Sequence, residues 1–448
     1  MDDAVSLSIQ YAQATTDPIQ ELERAVDAIR QVNDHIFISL SLDRAFREAK
    51  AAKARWENGA ALSLFDGIPI AWKDLFDMQG TVTTAGSQTR VDHAIAQQDA
   101  DVVMQLTRIG MVNLGKTNLT EFAYSGLGLN PHFGTPKNVT DPLCIPGGSS
   151  SGAAISVGQH IVPISMGTDT AGSIRIPASF NGLVGYRSSR SRYSKKGVFP
   201  LAASLDSVGP ISRSVRDCIV LDQLMLGQIQ SNIPSQPQAK NMQIYVDLDM
   251  LNHPSVQDFV KHNFLQTIEK IKQADIRVVH KRISAFDQAQ TLIDSGQWLG
   301  AAEAYTLHEA LLHSDQAEFM DQRVRKRLLS AKDTLASSQI HLYQMAQHLK
   351  ANLKTELAEG FLLTPTTTHT APELAPLEAD EALFIQTNLN TLRLTMPGSF
   401  LDMPSISLPN GTDSNGRPTG ILLSSHSGND QSLLSAALSI EHILRNND

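Results

Sequence analysis

Cysteine is scarce in this chain: Cys144 and Cys218 are the only two among 448 residues. Two thiols make no disulfide framework and fit a reducing compartment. No apolar run approaches the roughly 20 residues that a membrane-spanning helix needs, so no span is expected. Met1-Asp2-Asp3 is acidic and no signal-type apolar core follows it, which leads to the expectation of a cytoplasmic protein. Basic charge is also short. Lys and Arg number 37 against 46 Asp and Glu, a net charge of −9, which argues against a nucleic-acid backbone as the main ligand. The one basic cluster, Arg187, Arg190, Arg192, Lys195 and Lys196, reads as a solvated loop. What is plentiful is apolar content, 42% of the chain, enough for a large core and too much for general disorder.

Apolar residues at helical spacing over 19–32, 42–56 and 99–109 alternate with short strand-like runs at 67–71 and 111–115. Further strands are expected at 160–166, 241–247, 276–279, 361–363, 405–408 and 420–424. Helices are expected from 153, over 256–273 and over 433–444, with a long helical, polar-faced region at 299–357. This alternation is that of an α/β fold. Proline and polar residues gather at 231–240, as in a connection between two sub-structures. No internal repeat is visible.

The most informative stretch holds two serine-glycine patches, Gly147-Gly148-Ser149-Ser150-Ser151-Gly152 and Gly167-Thr168-Asp169-Thr170-Ala171-Gly172-Ser173-Ile174-Arg175. The mostly apolar segment between them separates them from ordinary linkers. Two generic motifs compete for attention. Gly110 to Thr117 fits the phosphate-loop pattern G-x-x-x-x-G-K-[ST], but a helix precedes it and strand formers fill it, the reverse of what a phosphate cradle needs. Gly148-Ser149-Ser150-Ser151-Gly152 fits the nucleophile elbow G-x-S-x-G with Ser150 at its centre and His426 as a late partner. The residues upstream include Pro142 and Pro146 and make a poor strand.

Read together with Lys73, the two patches resemble the amidase signature family. The resemblance rests on Gly67-Ile68-Pro69-Ile70 with Lys73-Asp74, on Gly115-Lys116-Thr117-Asn118 with Glu121-Phe122, and on both serine patches. It extends to Ser204-Leu205-Asp206 with Val208-Gly209-Pro210, to Leu363-Thr364-Pro365-Thr366, and to the run from Asp402 to Pro409. It is dense over about 67–217 and thin over 219–359, where Glu303 and its alanine-rich surroundings are the main match. It implies one α/β/α domain over 1–448 with a mixed central sheet, the 219–359 part being a variable, helix-rich insertion.

The resemblance also implies an amide hydrolase that works through an acyl-enzyme. Ser173 is then the nucleophile, Ser149 the bridging serine and Lys73 the base, with the serines 24 residues apart as in the family. A serine hydroxyl attacks well only when a base takes its proton. Lysine is such a base only when neutral, and burial lowers its pKa. Further implications are a cis Gly148–Ser149 peptide and an oxyanion hole built from the amides of Thr170, Ala171, Gly172 and Ser173. Asp169, Arg175 and Ser150 would brace these loops. The chain departs from the family in Ala171 and Ser151, where glycine is usual; a methyl at 171 is tolerable if φ is negative there. No metal or organic cofactor is expected, since His308 with His313, and His341 with His348, are spaced as surface helix residues. The expected ligand is a small-molecule amide, with no nucleic acid and no membrane, and a homo-oligomer is left open. The rival within the family is the glutaminase (A) subunit of a tRNA-dependent amidotransferase. The thin resemblance over 219–359 and Asn390-Thr391-Leu392-Arg393 speak for a free-standing amidase. Tyr124, Arg393 and the basic cluster at 187–196 are candidates for touching a leaving group or an acid.

Overall fold

The computed structural model describes residues 3–32, 34–228 and 242–445. The connection expected at 231–240 lies outside the described residues. Eleven strands form one sheet: β1 (Phe37–Leu40), β2 (Pro69–Lys73), β3 (Val112–Thr117), β4 (Ile164–Asp169), β5 (Val184–Arg187), β6 (Ser207–Ser212), β7 (Gln243–Val246), β8 (Arg277–His280), β9 (Phe361–Pro365), β10 (Ser405–Thr412) and β11 (Pro418–Ser424). Their order is β1-β3-β2-β4-β6-β5-β10-β11-β9-β7-β8. The sheet is mixed. β3, β2 and β4 run parallel, as do β9, β7 and β8, while the strands between them pair antiparallel.

Side chains of a strand alternate between the two faces of the sheet, and both faces here are covered. On β2, Ile70 and Trp72 enter one apolar cluster, which gathers residues of the helices Asp101–Arg108, Val215–Met225 and Asp430–Arg445. Ala71 enters the other, with the helices Pro18–Val32, Leu42–Glu57 and Ser151–Gly158. Burial on both faces explains why β2 and β9 read as near-continuous apolar runs.

Two boundary shifts position the site. The strand expected at 67–71 is β2, and it reaches Lys73. The strand expected at 160–166 begins only at Ile164 and runs on to Asp169. His160, at φ 57, turns the chain out of the preceding helix, and Pro163 has no N–H to give to a ladder. β2 and β4 are parallel neighbours with Trp72 opposite Met166, so Lys73 and Thr168 emerge side by side at the same edge of the sheet.

The phosphate-loop match is a strand. Lys116 lies within β3, fully buried, and its Nζ donates to Val82 O and Thr83 Oγ1 and pairs with Asp74. The basic stretch 187–196 is not one solvated loop. Arg187 ends β5, is fully buried, and donates to the carboxylate and carbonyl of Asp169 and to Leu205 O. Arg192 makes a two-pronged pair with Asp222. Among the histidines, His313, His341 and His348 are exposed, but His308 is buried against Phe122 and Phe199. The i, i+4 apolar pattern around it marked its face of the helix Leu299–Leu312 as inward. Among the described residues no helix is long and apolar enough to cross a membrane.

Candidate active site

The site grows from the adjacent ends of β2 and β4. Lys73 closes β2, is fully buried, and places Nζ 2.7 Å from Ser149 Oγ and 2.9 Å from Thr168 Oγ1. Burial pushes its pKa down to about 7, although Asp169 and Asp206 pull the other way. Among the described residues no carboxylate touches it, and its sequence neighbour Asp74 turns to Lys116.

Ser149 follows a cis peptide bond after Gly148. The loop is held from outside: Gly148 N donates to Gly126 O at 2.8 Å, and Thr120 N donates to Ser149 O at 3.2 Å. Gly147, at φ 75, takes a left-handed turn that other residues adopt at a cost. Ser150 precedes the helix Ser151–Gly158, and its Oγ donates to Thr168 O at 3.3 Å. Its amide donates to Ser173 O at 3.2 Å. The two serine patches, distant in sequence, are therefore tied to each other by main chain. His426 sits after β11 with Nδ1 beside Ser427 O, so Ser150 has carbonyl company and not the imidazole that the elbow reading needs.

Ser173 lies just before the helix Arg175–Phe180. Its loop, Thr170 to Ser173, is braced at both ends. Asp169 is fully buried and accepts from Arg175 Nε and Nη2, each at 2.9 Å, from Arg187, and from Ile174 N at 3.1 Å. These cations hold the Asp169 carboxyl well below the usual carboxylate range. Thr170 Oγ1 donates to Asp206 Oδ1 at 2.5 Å, and Asp206 Oδ2 accepts from the amides of Leu201 and Ala202. Gly172 has φ 146, and a Cβ there would stand 2.4 Å from Thr395 Oγ1. Ala171 is not among the positive-φ residues, so the condition for a methyl at that position is met, and its carbonyl accepts from Thr395 Oγ1 at 2.6 Å.

Ser173 opens onto a narrow pocket whose wall includes Thr170, Ala171, Tyr124, Trp298, Leu201 and Arg327. Arg327 comes from the helix Gln322–Leu329. Its guanidinium stacks over the Tyr124 ring and donates to Tyr124 O. Among the described residues no carboxylate pairs with it, and desolvation lowers its pKa. Of the sequence candidates for this pocket, Tyr124 is in its wall, Arg393 pairs with Asp294, and no residue of the basic cluster at 187–196 lines it. Glu303 holds the amide and hydroxyl of Ser204.

Sequence reasoning did not single out Thr168 or Arg327 for this site, and named Arg187 only within the basic cluster, not as a partner of Asp169. Thr168 had a readable signal in the resemblance itself, since it stands inside the second patch. Arg187 and Arg327 had none, because their partners lie 18 and 203 residues away.

The geometry agrees with what the chain is similar to. The family model described as Amidase matches residues 20–434. The A subunit of a glutamyl-tRNA(Gln) amidotransferase from Pseudomonas syringae pv. tomato is 31% identical over 438 residues, 90% of this chain and 88% of that one. Its counterpart from Koribacter versatilis is 28% identical over 99% of this chain and 98% of its own. That alignment spans 219–359 along with the rest of the chain. Among solved structures, one described as an amidase superposes with a TM-score of 0.87 at 29% identity, covering 99% of this chain and all of that one. A 6-aminohexanoate cyclic dimer hydrolase, at 21% identity and a TM-score of 0.84 over 99% of this chain and 97% of its own, shares the fold.

Proposed function

This chain belongs to the amidase family, and from that footing we propose that it hydrolyses a small carboxamide through an acyl-enzyme on Ser173. The observation that carries the reading is Lys73: buried, without a carboxylate partner among the described residues, with a pKa near 7, and 2.7 Å from Ser149 Oγ. Such a lysine is a base at neutral pH. Ser173 Oγ attacks the carbonyl carbon and gives its proton to Ser149, whose own proton passes to Lys73. The negative charge that develops on the carbonyl oxygen is met by main-chain amides of the 170–173 loop, an arrangement in which each donor contributes about 3 kcal/mol. Lys73 returns the proton through Ser149 to the departing nitrogen. Water then adds to the ester by the same relay and releases the acid. No step calls on a metal or organic cofactor.

Arg327 supports an amide that carries a carboxylate. A guanidinium in a desolvated wall without an anionic partner is costly, and a substrate carboxylate would supply that partner by a two-pronged contact. Two buried free thiols fit a cytoplasmic setting.

A second reading is favoured by the curated relatives: the chain is the glutamine-hydrolysing subunit of an amidotransferase, and glutamine is itself a carboxylate-bearing amide. The test is release of ammonia or amine by the purified chain from small amides, aryl amides, ureas and glutamine. Turnover of an amide by the chain alone upholds the first reading. Activity confined to glutamine and appearing only with a partner subunit moves the assignment to the second.

A further inference from the structure

Two of the five basic residues at 187–196 have carboxylate partners among the described residues. Arg187 serves Asp169, and Arg192 serves Asp222. Lys195 has no carboxylate partner among the described residues; its Nζ donates only to the main-chain carbonyl of Asp206, at 3.0 Å. It is half-buried, and it lines a cavity of about 260 Å³. Arg190 adds positive potential beside it, with its own Nε buried and unpartnered.

The polar wall of this cavity also includes Thr168 and Asp206. Both Asp206 oxygens already accept, from Thr170, Leu201 and Ala202. Thr168 Oγ1 accepts from Lys73, while its own hydroxyl hydrogen has no acceptor among the described residues. Ser207 also lines it, with its Oγ already bonded to Ser188, and the rest of the wall is apolar, with Leu75, Phe199 and Val208. Ser173 does not line the cavity, which shares only Leu201 with the nucleophile's pocket.

We propose that this cavity is a second ligand site, separate from the nucleophile's pocket, that binds a small carboxylic acid with an apolar body, anchored by Lys195 and by the free hydrogen of Thr168. An ammonium and a hydroxyl donor in an apolar-walled hollow satisfy both ends of such a molecule. A bound carboxylate on Thr168 adds negative charge beside Lys73. Asp169 and Asp206 already favour the Lys73 ammonium there, against burial. The ligand therefore lowers the fraction of neutral base and slows turnover without occupying the place of the amide. Free acids are the product class of the proposed reaction, so the site would report accumulated product.

The experiment is calorimetric titration of benzoate into the Ser173→Ala protein, which keeps the binding result independent of whether the hydrolase reading holds. Lys195→Gln is expected to weaken benzoate by about tenfold or more, as is Ala203→Phe, which fills the exposed rim. Benzyl alcohol, with the same body and no charge, is expected to bind by about tenfold more weakly than benzoate. In wild-type turnover assays, benzoate is expected to lower kcat with little change in KM, and Lys195→Gln to remove that effect. Thermal melts of both variants check folding; if Lys195→Gln fails to fold, Ala203→Phe and benzyl alcohol decide. Undetectable benzoate binding, equal binding of benzyl alcohol, or unchanged binding in folded variants overturns the proposal. So does inhibition that acts on KM alone, because the cavity would then be part of the amide site.

Discussion

Asp74 pairs with Lys116, at 2.5 Å, and not with the lysine beside it in sequence. The consequence lies at Lys73. A carboxylate in contact would hold that lysine charged, whereas hydroxyl contacts and burial leave it able to lose its proton near neutrality.

The pH dependence follows with a definite sign. Lys73 is a base whose pKa is lowered on folding, so the neutral fraction grows as pH rises through about 7. kcat/KM on one amide is expected to climb along a limb with an apparent pKa well under the free-lysine value of about 10.4, and to level off above it. In the proposed relay the apparent value would belong to Lys73, Ser149 and Ser173 together. Lys73→Ala should abolish turnover across the range; near-normal rates from that variant would sink the relay.

Lys116 gives the contrasting outcome. Lys116→Met strands Asp74 in a fully buried position. It is expected to cost about 3–5 kcal/mol of stability, read by denaturant unfolding, with the pH limb of any folded protein unchanged.

Ser173→Ala is expected to lower kcat by at least about 10³-fold. Ser150→Ala removes only a long contact to Thr168 O and should keep much of the activity. A serine-directed phosphonate should label Ser173, as located by peptide mass spectrometry. An active Ser173→Ala beside a dead Ser150→Ala would return the nucleophile to Ser150.

Asp169 pairs with two buried arginines at once. Asp169→Asn should therefore destabilise by about 3–5 kcal/mol and loosen the 170–173 loop, so that kcat falls even where the protein remains folded. An unfolding midpoint equal to wild type would show that Arg175 and Arg187 find other partners.

Arg327→Gln tests substrate charge. For amides bearing a carboxylate, KM should rise by about 10-fold or more, while neutral amides should be little affected. An equal effect on both classes would reduce Arg327 to a packing role against Tyr124.

Local pattern carried much of the fold and the core of the site. The helices at 18–32, 42–57, 258–273 and 430–445, and the strands around Lys73 and 361–365, follow from apolar periodicity read over a few residues. The two serine patches and Lys73 stood out by composition and resemblance, and the cis Gly148–Ser149 bond was among the implications of that resemblance. Strands β1, β5 and β6 were not legible: their residues are half-buried, glycine-containing or serine-rich, and pairing across the sheet makes them strands. Tertiary structure alone decided which cation met which anion. Lys73, Lys116, Arg187, Lys195 and Arg327 look alike in sequence, as long basic side chains near apolar or polar neighbours. The parallel register of β2 on β3 gave Lys116 its carboxylate, and the sheet order that places β5 two strands from β4 gave Arg187 its own. The same packing left Lys73 among hydroxyls, and Lys195 and Arg327 facing open cavities. A charge's chemistry depends on what surrounds it within a few ångströms, and for these five residues the decisive neighbours come from elsewhere in the chain.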